Sequence, residues 1–241
     1  MRVTVLGVTI DTYSMAETVE KIKLAVQGRT AIRIVTANPE MIYASQYNPD
    51  LRDVLNSADI ITADGIGVVW AVRQLGVQIK ERVTGIDLVQ SLFPIANTKK
   101  WRIYFLGGRP GVAELAVKKV SSDYPAITFS FSHGYFSSEE EADILKKITD
   151  FQPDVLLVGL GAPRQEFWLK EHPGLAYAGI GVGGSFDALA GTVQRAPKKI
   201  QDLHVEWLYR LLKEPWRWKR QTVLPRFLFE VLWQRFKLKT F

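Results

Sequence analysis

Cysteine is absent from all 241 residues. That excludes disulfide staples, zinc–thiolate and iron–sulfur sites and any thiol nucleophile, and it fits a reducing compartment. Histidine is scarce: His133, His172 and His204 lie far apart and lack the spacing that brings two imidazoles onto one metal. No Asp-x-Asp pair is present to hold a metal. Carboxylates can still hold magnesium next to phosphate, yet the expectation is no metal and no cofactor. No apolar run approaches the roughly 18 residues of a membrane span. The N-terminal stretch carries Arg2, Asp11 and Glu17, so it reads as neither a signal peptide nor an anchor. The expected location is the cytoplasm, with any membrane contact peripheral. Also missing are a G-x-G-x-x-G followed by a well-placed acid and a G-x-x-x-x-G-K-[ST] loop. Their absence weakens nicotinamide-cofactor and nucleotide-triphosphatase readings but leaves room for a nucleotide diphosphate.

What is present is a chain that is 47% hydrophobic, enough for one large core in one or two domains. Its net charge of +6 is unevenly placed. Residues 195–241 hold 12 Lys/Arg against 4 Asp/Glu, so the remainder is slightly acidic. Within this tail, Glu206–Gln221 interleaves Trp207, Trp216 and Trp218 with cationic side chains. Such a segment draws phosphates, nucleic acid or an anionic membrane face towards the body.

Short β-like runs alternate with helical stretches along residues 1–195. Strands are expected at 3–10, Ile32–Thr36, Asp59–Thr62, Trp101–Leu106, Ile127–Ser130, Val155–Leu160 and Ala176–Val182. Between them, Ser14 with Glu17 and Ser137 with Glu140 have the spacing of capping boxes. Further helices are expected at Glu40–Tyr47, Ile66–Leu75, Ile86–Ala96, from Pro110 to Ser121, and at Arg164–Glu171, while Gln78–Thr84 reads as a mobile loop. This order predicts an α/β fold: a mostly parallel, Rossmann-like sheet covered by helices on both faces, with ligands at the carboxyl ends of its strands. Beyond it, residues 196–241 read as a basic, Trp-rich appendage of two or three amphipathic helices. One apolar stripe joins Ile200, Leu203, Trp207 and Leu211; another joins Phe227, Leu228, Val231, Leu232 and Phe236.

Several residues then stand where chemistry belongs. Asp64, between Ala63 and Gly65 just past a strand, is suited to point a general base into a crevice, or to cap helix Ile66–Leu75. Thr36 and Asn38 end the preceding strand and either bracket the same crevice or form a turn before Pro39. Gln165 can bond a sugar hydroxyl and Arg164 a phosphate, unless both simply lie on a helix surface. Asp187 after Gly184-Ser185-Phe186 is open between nucleotide-sugar contact and cap. Glycine turns at 107–108, 159–161 and 181–184 allow close backbone approach to a ligand. Arg210, Arg217 and Arg220, seven and three residues apart, can share a face and clamp a diphosphate.

Together these segments resemble a known pattern. Thr36-Ala37-Asn38-Pro39-Glu40, Ala63-Asp64-Gly65, Arg82 with Gly85-Ile86-Asp87-Leu88, Phe105-Leu106-Gly107-Gly108, Gly159 to Glu166, Gly181 to Asp187, Arg195-Ala196-Pro197 and Glu206 to Leu211 resemble the WecG/TagA/CpsF glycosyltransferase family in the expected order. The resemblance implies an inverting transferase acting on a polyprenyl-diphosphate-linked acceptor. It is nearest the wall teichoic acid branch, which moves N-acetylmannosamine from UDP-N-acetylmannosamine to undecaprenyl-diphospho-N-acetylglucosamine in a β-1,4 linkage. A family member using UDP-N-acetylmannosaminuronate or another UDP-hexose, for common antigen or capsule, is the alternative. By resemblance, Asp64 is the base with Thr36 beside it, Asn38 and Gln165 position sugars, and Arg82 lies in a loop over the site. Gly184 and Asp187 fall in the UDP region, and Arg210, Arg217 and Arg220 neutralise a diphosphate at the membrane. Self-association is implied by resemblance alone. A nucleic-acid partner is not expected, since it leaves Thr36, Asp64 and Gln165 without a role.

Overall fold

The computed structural model describes residues 1–197, 200, 206–213, 218 and 222–240. Residues 3–10, expected as one strand, instead form a hairpin of β1 (Arg2–Val5) and β2 (Val8–Asp11). Leu6 and Gly7, at φ 48° and 87°, make the two-residue turn with both dihedrals positive that matches strand twist. The buried Asp11 carboxylate ties this hairpin to the body. It accepts from Arg2 Nε at 2.8 Å and from Ile61 N–H at 2.9 Å.

The main sheet is parallel throughout. It contains β3 (Ile32–Ala37), β4 (Ile60–Ala63), β5 (Arg102–Gly107), β6 (Thr128–Ser132), β7 (Val155–Gly159) and β8 (Ala178–Gly181), in the order β4-β3-β8-β7-β5-β6. Period-two alternation sorts its side chains between two faces. Ile34, Ile103, Phe105, Val155, Leu157 and Ile180 pack with α1 (Met15–Gln27), α5 (Gly85–Lys99), α6 (Val112–Asp123) and α9 (Ser185–Ala190). On the other face, Val35, Ala37, Ile61 and Ala63 meet the hairpin, α2 (Pro39–Ser45), α3 (Pro49–Asn56) and α4 (Ile66–Gln74). There too, Tyr104, Leu106, Leu156 and Val158 meet α7 (Ser138–Phe151) and α8 (Arg164–Glu171). Both capping boxes form as expected, at Ser14 with Glu17 and at Ser137 with Glu140.

Of the stretch Pro197–Lys213 that carries the first stripe, α10 (Glu206–Lys213) is helical; Lys198, Lys199 and residues 201–205 lie outside the described residues. α11 (Val223–Thr240) packs on α2 and α4. Its five apolar residues do not form the single stripe expected of them. Phe227 and Val231 are fully buried, whereas Leu228, Leu232 and Phe236 are exposed on another face together with Phe229 and Trp233. Gln234 closes the inner face by receiving Leu6 N–H and donating to the Thr4 carbonyl, both at 2.9 Å. Among the described residues, no helix is long and apolar enough to cross a membrane.

Candidate functional site

Because the sheet is parallel, all its carboxyl ends meet one edge, and the register aligns them: Ala37 opposite Ala63, Val158 opposite Gly181, Gly107 opposite Gly159. β3 leads into a helix on one face and β8 into a helix on the other, the divergence that opens a ligand crevice beyond strand ends. Thr36, Asp64 and Gln165, far apart in sequence, converge here.

Asp64 follows β4 directly, and its N–H donates to the Ala37 carbonyl at 2.8 Å. It does not cap α4: Gly65, at φ 104°, occupies that position without a side-chain bond. The carboxylate reaches sideways instead, where Oδ2 accepts from Gly85 N–H at 3.4 Å at the start of α5. A Cβ on Gly85 would stand 3.4 Å from both Thr36 Oγ1 and Val182 Cα, so β3, β4, β8 and α5 meet at this glycine. The segment before it, expected as a mobile loop, has no regular structure, but its end is pinned to β4. Val83 N–H donates to Ala63 at 3.0 Å, and Thr62 Oγ1 donates to Val83 at 3.1 Å.

Thr36 is buried and donates its hydroxyl to the Gly181 carbonyl at 3.0 Å, leaving its oxygen lone pairs as acceptors. Asn38 caps α2, with Oδ1 accepting from Met41 N–H at 2.9 Å, so its amide nitrogen is the part able to donate to a sugar.

Gln165 and Glu166 overturn the surface alternative, being only 3% and 1% exposed. Gln165 Oε1 accepts from Gly183 N–H at 3.0 Å, and its Nε2 donates to Glu166 Oε1 at 2.7 Å. Burial pushes the Glu166 carboxyl up to about 7, opposed by the bond from Gln165, by its own backbone N–H and by the Arg33 guanidinium. Nothing in the sequence singles out Glu166 from the neighbouring polar residues. Arg164 is exposed at the start of α8, donates to the Gly134 carbonyl at 3.0 Å and lies over the Phe136 ring.

Gly184 precedes α9 on the surface with open space above its Cα. Asp187 sits in the first turn rather than at the cap, where its backbone carbonyl receives Thr192 and Val193 N–H. Arg82 is largely buried and pairs with Glu206 of α10 at 3.5 Å. Glu206 also faces Arg195 at 3.7 Å, and Arg195 pairs with Asp87 of α5 at 2.7 Å. Arg210 belongs to α10 but its side chain is not among those described, and Arg217 and Arg220 lie outside the described residues. Two open depressions elsewhere, lined by Ile32 and Asp59 and by Arg33 and Gly179, sit at the amino ends of the strands, away from this crevice.

The glycosyl transferase WecG/TagA/CpsF family model matches residues 3–240. Three relatives bear the name N-acetylglucosaminyldiphosphoundecaprenol N-acetyl-β-D-mannosaminyltransferase. That of Bacillus spizizenii is 40% identical over 202 residues, covering 83% of this chain and 78% of its own. That of Bacillus subtilis is 39% identical over 211 residues, covering 86% and 82%. That of Staphylococcus aureus is 36% identical over 242 residues, covering 99% and 95%.

Proposed function

The chain belongs to the WecG/TagA/CpsF family of glycosyl transferases, and from that premise we propose that it moves N-acetylmannosamine from UDP-N-acetylmannosamine to undecaprenyl-diphospho-N-acetylglucosamine. The product linkage is β-1,4, formed with inversion, and belongs to wall teichoic acid linkage-unit synthesis. The sugar transferred and the lipid acceptor are those in the relatives' names.

The observation that carries the reading is the position of Asp64, whose carboxylate turns from its own helix to the meeting point of β3, β4, β8 and α5. In this reading Asp64 takes the acceptor hydroxyl proton while that oxygen bonds to C1 of N-acetylmannosamine. The bond from C1 to the UDP oxygen breaks, and its electron pair leaves with the β-phosphate. Proton transfer accompanies attack because an alcohol and a carboxylic acid lie far apart in acidity. Thr36 accepts from a sugar hydroxyl, Asn38 donates to one, and Gln165 donates through the N–H not spent on Glu166. Gly184 and Asp187 face UDP. Arg82 lies in a loop over the site, and Arg210, Arg217 and Arg220 neutralise the diphosphate charge where it develops.

The acceptor is a lipid, so the enzyme works at the inner face of the membrane, with residues 196–241 as its membrane-proximal appendage. The support is the outer face of α11, where Phe229, Leu232, Trp233 and Phe236 stand exposed beside Arg226 and Lys237.

UDP release, measured with and without the lipid acceptor, tests the reaction. Removing a general base costs about 10²–10⁴-fold, so acceptor-dependent release should fall by that factor in Asp64→Asn. An unchanged rate in the variant removes Asp64 from the role. Absence of release by the intact protein removes the reaction.

A further inference from the structure

Glu166 is a buried polar side chain beside the crevice to which the proposed reaction gives no task. Its Oε1 receives Gln165 Nε2 at 2.7 Å, while Oε2 is buried without a hydrogen-bond partner among the described residues. A buried carboxyl with half its bonding capacity unmet costs a fold stability, and such groups gather at functional sites.

The task follows from the next bond. Gln165 Oε1 receives Gly183 N–H, so the amide is oriented from both ends. An ionised carboxylate can only accept and a backbone N–H can only donate. Turning the amide over would set donor against donor at Gly183 and acceptor against acceptor at Glu166. The fold makes room for this arrangement at Gly181, where a Cβ would lie 2.8 Å from Gln165 Nε2 and 3.2 Å from Glu166 Oε1. The carbonyl of the same Gly181 receives the Thr36 hydroxyl.

We infer that Glu166 is a positioning residue: by receiving the Gln165 NH2 it locks the Gln165 carbonyl onto Gly183 N–H, fixing the Gly183-Gly184 turn that leads to Asp187 on the nucleotide side of the site. It touches no substrate itself. The inference rests on the nucleotide-sugar reading above, and its test keeps the two separable.

The full-length protein is compared with Glu166→Gln and Glu166→Leu at about pH 8.5, where the native carboxyl is ionised. KM values for UDP-N-acetylmannosamine and for the lipid acceptor are measured together with Gly183 N–H exchange by NMR. A lost hydrogen bond of ordinary strength corresponds to roughly tenfold, so the leucine variant should raise donor KM about tenfold and speed Gly183 exchange about as much, leaving acceptor KM within about twofold. The glutamine variant, whose amide oxygen still receives the Gln165 NH2, should stay within about threefold of the native protein on every measure. Glu166→Met, unbranched and similar in length, replaces the leucine variant if that one does not fold. A leucine variant with native donor KM overturns the proposal, and so does a glutamine variant as impaired as the leucine one. If the native protein releases no UDP, the reaction itself has failed, and Gly183 exchange decides alone: acceleration in the leucine variant supports the lock and an unchanged rate overturns it.

Discussion

Glu166 holds its carboxyl where water cannot solvate the charge, and the cost must vary with pH. Its value of about 7 in the fold lies above the ordinary 4.5 expected of the unfolded chain. The folded state therefore holds its proton more tightly, and the penalty grows as pH rises from about 4.5 through about 7, above which it is fully present. The charged residue that faces it from another element is Arg33 of β3, which offsets part of the cost; β7 and β8 have no ionisable side chains. Below about pH 4.5 the group is protonated in both states and the penalty is gone. Between pH 8 and pH 5 the native protein should gain on the order of 3 kcal/mol relative to Glu166→Gln, which has no proton to lose. Paired thermal melts across that range read this as a narrowing gap, with the glutamine variant ahead at pH 8. A gap independent of pH would mean that the carboxyl titrates in the fold as it does in the unfolded chain.

At the level of elements, α11 has two apolar faces, one buried in the core and one exposed and proposed to meet the membrane. The inner face is core: truncating Phe227 to alanine should cost about 3–5 kcal/mol in chemical denaturation. The outer face is spare to the fold, so Phe229→Glu with Trp233→Glu should leave the melting transition in place while abolishing co-sedimentation with phosphatidylglycerol vesicles. Each near-surface Lys or Arg adds about 1 kcal/mol to such attachment, so native binding should also weaken as salt rises. Binding unaffected by the double substitution would place the membrane contact elsewhere. The same helix shows where sequence patterning stops. Period alone groups Phe227 with Leu228 and Val231 with Leu232, because a helix apolar on opposite sides has no single stripe to find. Capping boxes were legible since both partners lie three residues apart. The β1–β2 hairpin was not: the alternation changes phase only at Leu6-Gly7, and Leu6 takes a left-handed conformation that its identity does not advertise. α3 announces itself with Asn48-Pro49, a cap followed by a first-turn proline, which the run of charged residues after it obscures.

Across the whole molecule, the slightly acidic body and the basic tail meet at a few ion pairs beside the crevice. The strand-end glycines and Asp64 were legible because parallel topology assigns every strand end to one edge. The contacts between body and tail were not, since Arg82 with Asp87, Arg195 and Glu206 come from three separate segments and nothing local couples them. The Glu206 carboxylate, 8% exposed, lies between Arg82 at 3.5 Å and Arg195 at 3.7 Å, while Arg195 holds Asp87 at 2.7 Å. The Thr84 hydroxyl also donates to that Asp87 at 2.6 Å, one residue from the Gly85 N–H that faces Asp64. The start of α10 is thus tied to the segment carrying the proposed base's partner. Removing one member of a largely buried ion pair leaves charge uncompensated, a loss of about 3–5 kcal/mol when burial is complete and less here, where the arginines keep some water contact. Glu206→Ala should therefore loosen α10 selectively: its amides exchange faster by mass spectrometry while those of β3, β7 and β8 hold their native rates. Exchange rising equally in the sheet would mean that Glu206 supports the fold as a whole. Unchanged exchange in α10 would mean that the helix is held by its other contacts, leaving these ion pairs without a fastening role.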